Sequence, residues 1–148
     1  MSPATRPRAA VRRWLALTAV GAGLAIATTG CTWGSGSGYA VLDREAMPDD
    51  ALPDGLPAYA FEELDPESAR YVGEHDGARL YLSQGRMTGT ICLLVVYLPE
   101  GVDWFTGCGG GGGRLGVSGS SGSYEVWPDG TPVPDGAVAI SPNVSVAG

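Results

Sequence analysis

Ile91-Cys-Leu-Leu-Val-Val-Tyr-Leu98 is an unbroken apolar run, rich in β-branched and aromatic side chains. A strand covered on one face alternates apolar and polar residues, and this run does not alternate. It therefore predicts a central strand that is buried on both faces. Because some layer must cover each face, the run excludes a single flat sheet and favours a small barrel, a sandwich or a sheet capped by a helix.

Shorter segments of strand character flank this run, and turn sequences separate them. Asp76-Gly77 favours a tight hairpin, and Pro-Asp-Gly occurs at 128–130 and again at 134–136. Asp65-Pro66-Glu67 combines an acidic cap with proline in the first turn, which predicts one short helix. The regular spacing predicts a mainly β domain, an antiparallel barrel or sandwich. The other predicted strands are residues 70–74, 79–83, 103–107, 114–118, 123–127, 137–140 and 143–146.

Composition divides the chain of 148 residues into three parts. We expect a signal peptide over 1–30, a flexible acidic tether over 31–57 and a β domain over 58–148. The tether is rich in glycine, serine, proline and acidic residues, which resist ordering, and as a coil it would span roughly 25–30 Å. Its residues 39–42 are apolar enough to form a strand or a contact, but we interpret them as solvated linker.

The first thirty residues have the layout of an export signal. Residues 1–13 are basic and contain no acid, and residues 14–29 are uncharged and apolar. A membrane-spanning helix needs about 20 apolar residues, so the shorter run fits a signal peptide better. Arg12-Arg13 leaves open whether export follows the general or the twin-arginine route.

Thr28-Thr29-Gly30-Cys31 resembles the lipobox of bacterial lipoproteins. In that family a diacylglycerol is attached to the cysteine thiol and a dedicated peptidase cuts directly before it. The resemblance therefore implies a lipid anchor on Cys31. An exported chain with three cysteines leaves one unpaired, and acylation of Cys31 accounts for it. The alternative is ordinary cleavage after Ala25-Ile26-Ala27, which would release a protein that begins at Thr28.

The other two cysteines, Cys92 and Cys108, are expected to form a disulfide, because export places them in an oxidising compartment. The hydrophobic core of a domain of about 90 residues is marginal. Closing this loop would stabilise the domain by about 3 kcal/mol. A metal pair or a catalytic thiol is the alternative, and the sequence supplies neither a second cysteine pair nor a suitable histidine.

The charge of the chain is distributed very unevenly. Four of the nine arginines precede Trp14, whereas all sixteen acidic residues follow Cys31, so the formal charge from Cys31 onward is −11. Such a surface repels phosphate backbones and anionic lipid headgroups. We therefore expect no nucleic-acid partner, and we expect the protein on the extracytoplasmic face of the cell membrane, held by its lipid.

Several short motifs of the chain are similar to those of small exported lipoproteins, without an assigned activity, from high-GC Gram-positive bacteria. The similarity covers roughly residues 66–146, and its motifs are structural rather than chemical. It implies a disulfide-braced architecture and transfers no catalytic residue. The motifs are Arg70-Tyr-Val-Gly73, Asp76-Gly77, Ile91-Cys-Leu93, Cys108-Gly109, Leu115-Gly-Val-Ser-Gly119 and Val133-Pro-Asp-Gly-Ala137.

Residues that could support catalysis are few. His75 is the only histidine, so a Ser–His–Asp or Cys–His centre would have to use it, but its neighbours mark a solvated turn. Two of the three carboxylates of Glu74, Asp76 and Glu125 could act as an acid–base pair, although a domain this small seldom forms a deep cleft. Residues 111–116 match the glycine pattern of dinucleotide sites, but no helix-forming sequence follows, so we interpret them as a flexible loop. We expect no catalytic residue, metal or cofactor.

Aromatic residues are the best candidates for a binding surface. Trp104 and Phe105 lie in the predicted disulfide loop, and Trp127 precedes a turn. If exposed, these side chains would stack on a sugar ring or insert into a partner protein. We favour the alternative, in which they pack beneath the loop. We expect a non-enzymatic binding or interaction module for an envelope protein or cell-wall glycan. The alternatives are a small carboxylate-dependent cell-wall hydrolase and an accessory structural lipoprotein without a ligand.

Overall fold

The central apolar run forms the third of eight strands in a computed structural model that describes residues 36–97 and 103–147. All side chains from Ile91 to Val96 are buried, which confirms a strand covered on both faces. The predicted signal peptide and Cys31 lie outside the described residues. The strands are β1 (Arg70–His75), β2 (Ala78–Gln84), β3 (Thr90–Tyr97), β4 (Asp103–Gly110), β5 (Leu115–Gly119), β6 (Gly122–Val126), β7 (Ala139–Ser141) and β8 (Val144–Val146).

The described strands form two antiparallel sheets. The first sheet has the order β1-β2-β3-β4, and the second has the order β5-β6-β8-β7. The sheets meet along both sides, because β4 contacts β5 and β1 contacts β7. This two-sheet sandwich confirms the prediction of a small, mainly β, antiparallel domain, and every segment predicted as a strand overlaps one.

The turns and short helices follow the local sequence signals. Asp76 and Gly77 have φ angles of 48° and 77°, and both therefore adopt the left-handed conformation that a two-residue type I′ hairpin needs. The predicted short helix is a single 3-10 turn over Pro66–Ser68, and its Asp65 carboxylate accepts a 3.2 Å bond from the Glu67 backbone amide. The remaining helical elements are α1 (Ala40–Asp43) and 3-10 turns over Pro48–Asp50 and Ala58–Phe61.

The inner core lies between the two sheets. Alternate side chains of β2 and β3 point towards the second sheet and are covered by residues of β5, β6 and β8. Period-two alternation places them on one face. The fully or nearly fully buried members include Leu80, Leu82, Leu93, Val95, Val117, Tyr124, Val126 and Val144.

The outer face of the first sheet is covered by the chain that precedes β1. Leu52, Leu56, Phe61 and Leu64 pack against a second cluster that includes the β3 residues facing away from the second sheet, among them Leu94. The sandwich thus has a third, irregular layer over its first sheet. This layer explains how β3 can be apolar on both faces although only one face meets a sheet.

The prediction of a tether ending at residue 57 is wrong for its described part, residues 36–57. These residues belong to the same compact unit as the strands. Tyr39 and Leu42 are buried in the inner core, and Leu52 and Leu56 join the outer cluster. The proline and acidic content indicated a solvated coil, but burial of these four apolar side chains outweighs it, because each removes apolar surface from water.

Candidate functional site

The disulfide joins two directly opposed residues of β3 and β4. Cys92 faces Cys108 in the strand register, with an S–S distance of 2.05 Å and a Cα–Cα distance of 4.1 Å. Both cysteines belong to the outer cluster. The predicted bridge is therefore present. Since both thiols are consumed by it, neither of these cysteines is available as a metal ligand or a nucleophile.

The three aromatic residues predicted as a binding surface lie in three different places. Trp104 belongs to the outer cluster, whereas Phe105, its neighbour on β4, packs against the inner core. Trp127 covers the outer side of the second sheet, where its indole N–H donates to Ser145 Oγ at 3.1 Å. Trp104 and Phe105 lie in β4, within the segment 103–107 that was predicted as a strand. No single surface can therefore contain all three side chains.

Trp104 forms an aromatic pair with Tyr59. Their ring centroids are 5.5 Å apart at an angle of 47°. Trp104 is half-buried, and Tyr59 is 63% exposed. The Trp104–Tyr59 pair therefore presents aromatic surface to solvent at the edge of the outer layer, with one ring anchored in the protein.

One end of the sandwich carries a chain of polar groups, and we call it the Tyr97 end. The Tyr97 hydroxyl donates to the Ser121 carbonyl at 2.8 Å, and the Ser121 hydroxyl donates to the Asp103 carboxylate at 2.7 Å. The Tyr124 hydroxyl lies 3.5 Å from His75 Nδ1. One chain of hydrogen bonds thus links Asp103, Ser121 and Tyr97, and a separate contact joins Tyr124 to His75 at the end of β1.

Burial, with a smaller contribution from the neighbouring Tyr97 hydroxyl, raises the pKa of Tyr124 far above its ordinary value. Its phenol therefore stays protonated at neutral pH, because burial disfavours the charged phenolate. Phe105 stacks on the same ring, with centroids 6.2 Å apart. Tyr124 is almost fully buried in the inner core, so these contacts join the two sheets and do not form a ligand surface.

His75 is not joined to a serine or cysteine nucleophile in the described residues. Its ring contacts Tyr124 edge-on, and its Nδ1 lies 3.7 Å from the Asp76 carboxylate. The nearby Ser121 hydroxyl is hydrogen-bonded to Asp103 instead. A hydrolytic triad requires the histidine to accept the proton of the attacking hydroxyl, and these contacts do not supply that pairing.

The candidate carboxylates do not face one another. Glu74 pairs with Arg79, which lies over the Tyr71 ring on the outer face of the first sheet. Glu125 pairs with Arg114 at 2.9 Å on the outer side of the second sheet, while Asp76 is exposed in its turn. The opposed carboxyl pair of a glycoside hydrolase is thus not formed by these three residues. Within residues 36–97 and 103–147, no cluster of histidine, cysteine and acidic side chains could hold a metal ion.

The glycines on either side of Cys108 have a packing role. A Cβ atom on Gly109 would lie 2.7 Å from Leu115 Cδ1, and one on Gly107 would lie 2.8 Å from Val117 Cγ1. These glycines therefore let β4 approach β5 closely. The chain then turns at Gly111–Gly113 into β5. No helix begins there, so these residues lack the helix N-terminus whose amides bind the pyrophosphate in a dinucleotide site.

Sequence reasoning missed Tyr59, Tyr97 and Ser121. Tyr97 was read only as part of the apolar run, although its position two residues after Val95 places it on the inner face at the strand end. That alternation was the one available signal. Nothing local indicates that Ser121 meets Asp103, or that Tyr59 meets Trp104, because these pairs form across distant parts of the chain.

Comparison of the chain with protein-family models, with curated proteins and with solved structures finds no match. Among the described residues, no helix combines the length and the apolar character needed to cross a bilayer.

Proposed function

We propose that this chain is a lipoprotein held at the extracytoplasmic face of the membrane by an acylated Cys31, and that its β domain binds an envelope component without catalysing a reaction. The observation that carries the anchor is the pairing of Cys92 with Cys108. Of the three cysteines, this leaves Cys31 as the one outside the bridge, directly after an apolar leader and within a lipobox-like sequence. A disulfide also suits an oxidising compartment.

The binding role is supported by the Trp104–Tyr59 pair near the Tyr97 end. This pair offers an aromatic platform at the edge of the outer layer, with Tyr59 63% exposed. Exposed aromatic rings are suited to the apolar faces of sugars. We therefore propose a cell-wall glycan as the ligand of this surface, with an envelope protein as the alternative.

The non-enzymatic part of the proposal rests on the contacts of the candidate catalytic groups. His75 meets a protonated phenol, Ser121 is bonded to Asp103, and Glu125 is paired with Arg114. None of these contacts poises a nucleophile or a facing acid and base. Hydrolysis of peptidoglycan that is abolished by His75→Ala or Glu125→Gln would overturn this part of the proposal.

Mass spectrometry of the mature N-terminus tests the anchor. We expect a diacylated Cys31 as the first residue, and we expect Cys31→Ala to release the protein into the medium. Cys31→Ala should leave the domain fold unchanged, which circular dichroism can verify. An unmodified protein that begins at Thr28 would overturn the lipid anchor.

Co-sedimentation with purified peptidoglycan tests the binding surface. We expect Tyr59→Ala to weaken binding by more than about 1 kcal/mol, the usual loss for an anchoring aromatic. Its melting temperature should change little, because Tyr59 is mostly exposed. Trp127→Ala is the matched control, since Trp127 lies on the outer side of the second sheet. Equal loss of binding in both variants, or no binding by the unaltered protein, would contradict a glycan site at the Trp104–Tyr59 pair.

A further inference from the structure

The end of the sandwich opposite the Tyr97 end is where the described chain begins, and we call it the Gly36 end. Gly36 lies on the rim of an open groove of about 740 Å³ formed with the β2–β3 turn and the glycine turn after β4. The groove is lined by backbone and small or neutral side chains, and among the described residues its only charged lining members are Asp43 and Arg86.

We propose that the Gly36 end is the membrane-facing surface of the domain, and that Met87 enters the lipid headgroup region. The inference rests on the proposed acylation of Cys31. It adds an orientation and a lipid-contact site to that proposal. The occupant of the surface is the bilayer that holds the anchor.

The distance between the anchor and the domain limits the orientation. Gly36 follows Cys31 by five residues, and a fully extended chain advances at most about 3.6 Å per residue, or about 18 Å in all. This limit exists because residues 36–57 are packed on the sheets; a coil reaching residue 57 would have held the domain well clear of the lipid. Strand β3 advances about 3.3 Å per residue from Thr90 to Tyr97, which places the Tyr97 end more than 20 Å farther from the groove.

Charge favours the same face. The chain from Cys31 onward has a formal charge of −11, so most of its surface is repelled by anionic headgroups. In the groove lining, by contrast, the negative charge of Asp43 and the positive charge of Arg86 cancel. The exposed Glu62 and Glu63 flank Arg86, whose backbone amide donates to the Glu63 carbonyl at 2.9 Å. The Gly36 end therefore suits zwitterionic headgroups better than anionic ones.

Met87 supplies an apolar contact at this end. It lies in the β2–β3 turn and is 74% exposed, more than the other large exposed apolar side chains of the described chain. The turn is closed by the Thr90 amide, which donates to the Met87 carbonyl at 3.1 Å. A flexible, unbranched methionine on a fixed turn can enter the headgroup region at little cost to the fold.

Amide hydrogen exchange of the full-length acylated protein on phosphatidylcholine vesicles tests this orientation. In the described part of the chain, the amides of Met87, Thr88 and Gly89 donate to no protein group, so their exchange reports the covering of the turn directly. We expect exchange in this turn to slow several-fold on vesicles relative to the Cys31→Ala protein. The exposed Ser120 and Ser121 at the Tyr97 end should exchange at the same rate in both.

A charge variant provides the control. Met87→Asp should leave the protein attached to vesicles in a flotation assay but remove the slowing of exchange in the β2–β3 turn. Val138→Asp, at an exposed residue whose carbonyl accepts from Val146 at the Tyr97 end of β8, should leave that slowing intact.

The outcomes separate the orientation from the anchor. Flotation of the protein together with fast exchange at Met87, or with slowing confined to Ser120 and Ser121, would overturn the orientation and leave the anchor standing. Loss of flotation in the unaltered protein would overturn both.

Discussion

Arg44 holds the buried carboxylate of Asp50 with two parallel hydrogen bonds, from Nη1 to Oδ2 at 2.6 Å and from Nη2 to Oδ1 at 2.7 Å. The Asp50 side chain is 3% exposed and also accepts bonds from the backbone amides of Met47 and Tyr71. The Tyr71 bond ties the segment before the strands to β1. These four hydrogen bonds occupy both oxygens of the carboxylate, so Asp50 has a structural role.

Asp50→Ala should lower the free energy of unfolding by about 3 kcal/mol, because it leaves the partly buried guanidinium of Arg44 and two amides without their acceptor. Denaturant unfolding followed by fluorescence measures the change. Asp49→Ala is the matched control, because the Asp49 side chain is exposed, whereas the hydrogen bonds described above belong to Asp50. Equal effects of the two substitutions would show that the Asp50 contacts contribute nothing specific.

Stability should also depend on pH through Asp50. The hydrogen bonds from Arg44 hold the pKa of Asp50 well below its ordinary value, so the folded state favours the ionised form. The stabilisation is complete above the unfolded-state pKa of about 3.9 and is lost as the pH falls below it. Thermal unfolding between pH 6 and pH 3 should therefore show a decline that is smaller in Asp50→Ala. An identical decline in the two proteins would assign acid lability to other groups.

The position of Phe105 between the sheets can be tested with two glycines of β5. A Cβ atom on Gly119 would collide with the Phe105 ring, whereas one on Gly116 would meet nothing within 4 Å. We expect Gly119→Ala to destabilise the domain by about 1–3 kcal/mol through overpacking and Gly116→Ala to have little effect. Chemical denaturation of both variants provides the measurement. A neutral Gly119→Ala would place Phe105 elsewhere, for example on the surface.

The disulfide should contribute to stability because it constrains the unfolded chain. Replacing both Cys92 and Cys108 by alanine should lower the free energy of unfolding by about 3 kcal/mol, as expected for a loop of this size. Thiol labelling of the denatured, unreduced protein should miss both residues, and labelling after reduction should reach both. Labelling of the two cysteines without a reductant would contradict the bridge.

Much of the fold could be predicted because its signals are local. The unbroken apolar run of β3, the Asp76-Gly77 turn and the Pro66 turn each follow from a few adjacent residues, and the structure contains all three. The disulfide followed from counting cysteines, and the strand register then placed Cys92 directly opposite Cys108.

The candidate surface was less predictable, because it depends on which strand face each residue takes. Trp104 and Phe105 are adjacent in sequence, so strand alternation sends them to opposite sides of β4. Both lie in the predicted strand 103–107, but treating them as one surface overlooks this separation. The pairing of Trp104 with Tyr59 could not be inferred either, because Tyr59 precedes the strands and reaches Trp104 only when the outer layer has packed.

By itself, the sequence determined that β3 must be buried on both faces, because an apolar run without alternation has no side that water can solvate. Only the tertiary structure decided what covers each face. The second sheet covers one, and Leu52 and Leu56, within a segment whose composition indicates a solvated coil, help to cover the other. The physical reason is that composition reports the average affinity of a segment for water, whereas burial depends on whether a distant apolar face is left open for its few apolar side chains.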